Sequence, residues 1–325
     1  MSKLYFTMLG IIDELVINVN NGEIAMSVVF VFLDGLGLAP AAATNPLAAA
    51  ATAHLQAILG GPLTIEYIQD RPGLLLRPID AALGVDGLPQ SGTGHVALLA
   101  GVNAPALHGR HQPNFPPVAL RPLLAERSIF RLADQAGHAV AFANAFSAGY
   151  WQALAARRLR RSASVIAAEG AGLRLRDMDD LRADRALSWD ITRQAAHDRG
   201  EGAGLPLVAP ELAGVHLAHL AHNHALVFFE CFLPDLAGHG RMGAGAVPEV
   251  LARIDRLLGG LLVARRPADT ILITSDHGNI EDDTTRGHTR NPVPLLVIGP
   301  GTPRFADVSR IDAVAPALLA ALGDG

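Results

Sequence analysis

The chain has 325 residues, half of them hydrophobic and 18% charged, with a formal net charge of −5. That is enough apolar chain for one large α/β domain, or a core with a smaller second unit, and the acidic balance lacks the basic footprint of a nucleic-acid binder. A single cysteine, Cys231, excludes an intrachain disulfide framework and fits a reducing, cytoplasmic compartment, and no apolar run reaches the ~20 residues of a membrane span.

In chain order, residues 1–25 precede Met26 and read as an N-terminal extension from an early start codon. Val28–Leu33 is a continuous apolar run, as expected of a strand buried on both faces. Helical stretches rich in Ala and Leu follow at Pro46–Leu59 and Val118–Ala136, and a strand is predicted at Ala139–Ala143. Residues 149–215 have few strand-like segments and read as a helical, cap-like insertion between the core parts 26–148 and 216–325. Strands are then predicted at Ala225–Phe232, Thr270–Thr274 and Pro294–Ile298, with helices at Pro248–Leu262 and Ile311–Leu322. Strand alternating with helix predicts an α/β, doubly wound, mostly parallel sheet with helices on both faces. Such folds place ligands at the carboxyl ends of the strands.

Four of those ends carry chemistry. Val28–Leu33 runs into Asp34-Gly35, which is either a carboxylate aimed at a ligand or an Asp-Gly turn. Gln90-Ser91-Gly92-Thr93-Gly94-His95 places hydroxyls between glycines just before an apolar helix, which suits a nucleophile at a helix N-terminus and equally an N-cap. The Gly-Lys-Ser/Thr ending of a phosphate-cradling P-loop is missing. Asp235 and His239 stand four apart after a strand, so one helical turn lets both reach one metal. Asp276-His277, with His288 eleven residues on, is the strongest local signal, because a buried Asp-His pair is costly without pairing or coordination. Asp34, Ser91, Asp235, His239, Asp276, His277 and His288 supply enough oxygen and nitrogen for two divalent metals, the arrangement used for in-line phosphoryl displacement.

Other clusters weigh less. His216, His219, His222 and His224 read as a solvated helix end. The run Arg157–Arg161 spreads around a helix instead of converging. Arg110 and His111, after the Ser91 helix, are candidates for contacting a substrate phosphate.

The set of motifs resembles the alkaline phosphatase superfamily, with the cofactor-independent phosphoglycerate mutase and phosphopentomutase branch most similar. It covers about residues 27–145 and 224–322. The resemblance implies one metal held by Asp34, Ser91, Asp276 and His277 and another by Asp235, His239 and His288, with Mn or Zn as the metals. It implies that Ser91, in preference to Thr93, attacks phosphorus to form a phosphoserine, which water or a second hydroxyl then resolves. The expected partner is a small phosphoester, and the expected reaction that of a phosphatase or phosphomutase. Mutases of this kind are longer and carry a large insertion with lysine contacts; this insertion is short and holds no lysine. A phosphodiesterase, or a non-catalytic metal-binding protein on the same fold, are the alternatives.

Overall fold

The computed structural model describes residues 26–323; the expected extension at 1–25 lies outside them. In chain order β1 (Val28–Leu33) leads to α1 (Pro46–Ala49) and α2 (Ala53–Leu59), then the hairpin β2 (Gln69–Arg71) and β3 (Leu74–Ile79). Next come α3 (Ser91–Ala100), α4 (Ala104–His108), α5 (Arg121–Arg127), α6 (Ile129–Gln135), β4 (Val140–Phe142) and β5 (Ala145–Phe146). The middle of the chain holds α7 (Ala148–Ala155), α8 (Ala163–Gly170), β6 (Arg176–Asp177), α9 (Met178–Arg182) and α10 (Gln194–Asp198). The chain continues through α11 (Pro210–Ala221), β7 (Leu226–Cys231), α12 (Leu233–Gly238) and α13 (Ala246–Ala264), and ends on β8 (Thr270–Thr274), β9 (Val293–Ile298) and α14 (Val314–Leu322).

Seven strands form one sheet in the order β2-β3-β9-β8-β1-β7-β4. The half β4-β7-β1-β8 is parallel, with Val28–Leu33 in register with Leu226–Cys231 on one side and Val28–Phe32 with Thr270–Thr274 on the other. The half β9-β3-β2 is antiparallel, so the mostly parallel arrangement expected is met only in part, in the half where the site strands lie. β3 went unrecognised because Arg77 and Pro78 interrupt its apolar pattern. Proline gives a ladder no donor, and here Pro78 stands opposite Pro294, so the two gaps share one register position.

Alternation within β1 sorts its side chains between two cores. Val28, Phe30 and Phe32 join α3, α5, α6, α8 and α14, whereas Val29, Val31 and Leu33 join α2, α11 and α13. Helices thus cover both faces, as predicted. Two predicted helices are broken. Ala50 is extended between α1 and α2, and Ser128 is extended between α5 and α6, where its hydroxyl caps α6 by accepting from Arg131 N. Within 149–215, α8 packs into the main core through Val165, Ala167 and Ala168. The short sheet β5-β6 joins the end of the β4 segment to this region.

The aromatic centre of the first core is Phe228, with ring centroids of Phe30, Phe130 and Phe142 at 5.1, 5.3 and 5.6 Å. Phe228→Ala is expected to cost about 3–5 kcal/mol, through lost transfer energy plus the cavity left behind. Urea unfolding of the two proteins checks it, and a cost under about 1 kcal/mol would contradict this packing.

Candidate metal centre

Asp34 is the first residue past β1. Its N–H donates to the Cys231 carbonyl, and its own carbonyl accepts from Asp235 N, so the ends of β1 and β7 are tied together. Gly35 has φ +76, and a Cβ there would lie 2.8 Å from the Asp235 Cα. Glycine therefore both makes the turn and lets two acidic residues approach; the turn reading of Asp34-Gly35 holds, and the same turn sets Asp34 beside Asp235. Leu36 N donates to Ser275 Oγ (3.0 Å), and that hydroxyl donates to the His277 carbonyl (2.9 Å), fixing the loop after β8.

The structure brings five of the other six sequence-predicted ligands around His277. Its Nε2 lies 2.9 Å from Ser91 Oγ, 3.2 Å from Asp34 Oδ1 and 3.4 Å from Asp276 Oδ2. Its ring stacks on His288 at 3.6 Å. Asp235 Oδ1 sits 3.5 Å from His288 Nε2 and 3.2 Å from His239 Nε2. Two groups result among the described residues: Asp235, His277 and His288, and Asp34, His95 and Asp276, with ligand atoms inside each group within 4.8 Å of one another. His239, on the last turn of α12, flanks the first group through Asp235.

His95 is the residue that the sequence reading left as motif context. It lies four residues after Ser91 on α3, hence one turn along the same face. Its Nε2 is 3.3 Å from Asp276 Oδ2 and 3.6 Å from Asp34 Oδ2, and its ring meets Phe32 edge-on at 4.7 Å. Glu281 was missed as well. Its buried carboxylate accepts from Gly37 N, Asn279 N and Asn291 Nδ2 at 3.0, 2.8 and 3.0 Å, and from the Thr289 hydroxyl, binding the loops after β1 and β8 together. Asn279 Nδ2 in turn donates to Asp235 Oδ1 (3.0 Å). The i+4 spacing from Ser91 would have found His95; nothing local in sequence marks Glu281, whose partners come from three loop segments.

Does this set fit a metal? Asp34 Oδ1, Asp276 Oδ2 and His95 Nε2 are buried without a hydrogen-bond partner. Orphaned buried polar atoms are costly, and two carboxylate oxygens brought together with an imidazole nitrogen are what a cation satisfies. The imidazoles are set up the same way. His239 Nδ1 meets the Arg286 carbonyl at 2.5 Å and His288 Nδ1 the Pro89 carbonyl at 2.8 Å. A carbonyl accepts only from N–H, so each Nδ1 carries the proton and each Nε2 presents its lone pair to the centre. Burial works against charge on Asp34, but the His277 and His95 imidazoles outweigh it and hold the carboxyl well below the usual range. Burial likewise disfavours a charged His277, yet Asp276 and Asp34 carry it up to about 9. The carboxylates draw positive charge into the place where a divalent ion would supply it. The oxygen and nitrogen donor set fits a divalent metal ion.

The two hydroxyl candidates separate. Ser91 opens α3 and faces His277. Thr93 is fully buried, with its Oγ1 accepting from Gln112 N (3.2 Å) and reaching the Gln90 carbonyl (3.3 Å). Arg110 and His111 lie on the loop leading to Gln112. Arg110 is exposed, and His111 Nε2 donates to the Val85 carbonyl at 3.2 Å, a bond that holds the loop. The four histidines on and after α11 do not gather at one point: His216 faces Asp184 at 3.5 Å, the His219 and His222 rings lie 5.5 Å apart, and His224 Nδ1 donates to the Leu220 carbonyl. Arg161 pairs with Glu169 at 2.7 Å.

Residues 210–323, which carry five of the predicted ligands, match the metalloenzyme superfamily model. The match covers that region alone, and there the chain is similar to the metalloenzyme superfamily. A phosphoglycerate mutase of the 2,3-bisphosphoglycerate-independent type from Thermomicrobium roseum is 33% identical over 129 residues, covering 35% of this chain and 24% of its own. One from Acetivibrio thermocellus is 40% identical over 98 residues, covering 28% and 19%. The chain thus spans about a quarter or less of the length of the curated relatives it matches. Among solved structures, a Pyrococcus horikoshii protein aligns with TM-score 0.52 at 16% identity over 92% of this chain and 97% of its own. The alkaline phosphatase of the Antarctic bacterium TAB5 aligns with TM-score 0.50 at 13% identity over 92% and 98%. At such identities these two matches establish the fold: an alkaline phosphatase-like α/β sheet. No helix among the described residues is long and apolar enough to cross a membrane.

Proposed function

We propose that the chain is a two-metal-dependent phosphatase or phosphomutase acting on a phosphomonoester, with Ser91 as nucleophile. The observation that carries this reading is the position of Ser91 Oγ: at the N-terminus of α3 and 2.9 Å from His277 Nε2, between the two ligand groups. Asp34, Asp276 and His277 would hold one metal with Ser91, with His95 beside them, and Asp235, His239 and His288 the other. His277 adjoins both groups. When bound, divalent ions supply Lewis-acid stabilisation of the charge on the phosphoryl oxygens and on the serine oxygen.

Ser91 Oγ forms its bond to phosphorus as the ester P–O bond breaks and the alcohol leaves. The phosphoserine then passes its phosphoryl group to water or to a second hydroxyl. The N-terminal end of the α3 dipole favours the anion held beside Ser91. Asn279 orients Asp235, and Glu281 fixes the two loops that set the ligand spacing. Residues 149–215 are proposed to cap the site.

The test is a metal-reconstituted assay with Mn or Zn on a phosphomonoester and a diester, with products identified. Monoester turnover at least about tenfold faster than diester turnover is expected; at about 1.4 kcal/mol of barrier, that is the smallest clear preference. Inorganic phosphate as product means hydrolase and an isomeric ester means mutase. A reversed preference, or two tightly bound metals with no turnover of either ester, would contradict the proposal.

A further inference from the structure

Beside the metal centre lies a cavity of about 860 Å³ walled chiefly by rings: Phe115, Phe146, Tyr150, Trp189 and Phe232. Its walls are continuous with the site. Phe232 caps α12, and Leu236, also on the wall, directly follows Asp235. On the opposite side a Cβ on Gly92 would collide with the Phe115 carbonyl oxygen, so the Phe115 backbone rests on the first turn of α3, next to Ser91. The remaining rings come from α7 and the segments flanking it and α10, within residues 145–201.

Each cation on this wall is engaged by another wall residue. The Arg160 guanidinium lies over the Phe115 ring, 5.9 Å from its centroid, and Arg199 pairs with Glu201 at 3.5 Å. Glu230, also on the wall, receives the Ser164 hydroxyl at 2.5 Å, and burial pushes its carboxyl up to about 7. The walls therefore combine rings with two carboxyls, Glu201 paired with Arg199 and Glu230 pushed toward its neutral form by burial, a poor receptor for a second anionic group such as the carboxylate of a small sugar acid. The volume falls within the ~300–1,000 Å³ of pockets that enclose organic ligands, well beyond the needs of a three-carbon alcohol.

Building on the phosphoryl-transfer reading above, we infer that this cavity receives the alcohol part of the substrate, and that this part is a bulky, ring-bearing apolar group. Preference then comes from ring burial and stacking, not from countercharges.

The experiment uses the metal-loaded full chain and pairs of matched basicity, so that reactivity does not mimic binding. 3-Phenylpropyl phosphonate and propyl phosphonate are compared by calorimetry, and the two corresponding phosphate esters by kcat/KM. Burial of one phenyl ring at roughly 25 cal/mol per Å² predicts at least about a tenfold advantage for the phenyl compound in both measurements. Ala153 lines the cavity from α7; Ala153→Trp should fill it and erase the advantage while propyl phosphonate binds as before. A wild-type ratio within about twofold, with both esters turned over, overturns the inference and leaves phosphoryl transfer intact. A tenfold binding ratio with neither ester turned over upholds the cavity and overturns phosphoryl transfer. An advantage that survives in a folded Ala153→Trp protein places the ring elsewhere and overturns the inference.

Discussion

Replacing Ser91 by alanine is expected to lower kcat on a phosphomonoester by more than about 10³-fold, beyond the ~10²–10³ that removal of one auxiliary hydrogen-bond donor costs. The reason is that no second hydroxyl stands ready. Thr93, two residues on, is buried and committed to Gln112 N and the Gln90 carbonyl. Alanine is the best helix former and Ser91 is the first residue of α3, so the substitution leaves the helix start intact. Ser91 also makes no contact to the core that alanine would abolish; its hydroxyl bond is to His277. The melting temperature should therefore stay within about 2 °C of the parent, a shift worth roughly 1 kcal/mol at this size. Thr93→Ala is the contrast: about 1 kcal/mol of stability is lost with its hydroxyl bonds, while kcat falls by less than about tenfold. If the Ser91 variant turned over at a tenth of the parental rate or more, Ser91 would not be the nucleophile.

The second large effect concerns metal. Asp276 is fully buried, with Oδ2 unpartnered, and faces both His95 and His277. Adding Zn or Mn at about 100-fold over its dissociation constant should stabilise the parent by about 2.7 kcal/mol, since the unfolded chain does not assemble the site. That corresponds to roughly 5–10 °C in Tm. In Asp276→Asn the amide keeps the shape but gives up the charge, so most of this increment should vanish and metal affinity should fall by more than the ~10–100-fold typical of outer-shell changes. Scanning calorimetry with and without chelator reads the increment directly. An Asp276→Asn protein whose Tm rises with metal as far as the parent's would remove Asp276 from the ligand set.

How much of this was legible beforehand depended on locality. β1, β7 and β8 announced themselves because each is buried on both faces, so its apolar run is nearly continuous, with Glu230 the one interruption inside β7. Asp34, Asp235, Asp276 and His277 stand at or just past those ends, and short motifs carry them. The β2-β3 hairpin was hidden because Arg77 and Pro78 break its pattern, and its partner β9 lies more than two hundred residues away in sequence. The antiparallel half of the sheet followed from that same pairing, which no local period reports. The breaks at Ala50 and Ser128 were equally silent, since helix-forming stretches lie on both sides of each break. His95 shares a motif with Ser91 but acquires meaning only when α3 turns it toward Asp34 and Asp276. Glu281 and the aromatic cavity are assembled from segments far apart in sequence, so their recognition required the fold.

The central claim is that phosphoryl transfer runs through Ser91 Oγ. The direct measurement is to mix metal-loaded protein with a phosphomonoester, quench in acid on the millisecond scale, digest, and locate phosphate by peptide mass spectrometry. The account predicts phosphoserine at Ser91 in the parent, and none at any residue in Ser91→Ala. Turnover with an unmodified Ser91 peptide at every time point, or phosphate at Thr93 in its place, would contradict it.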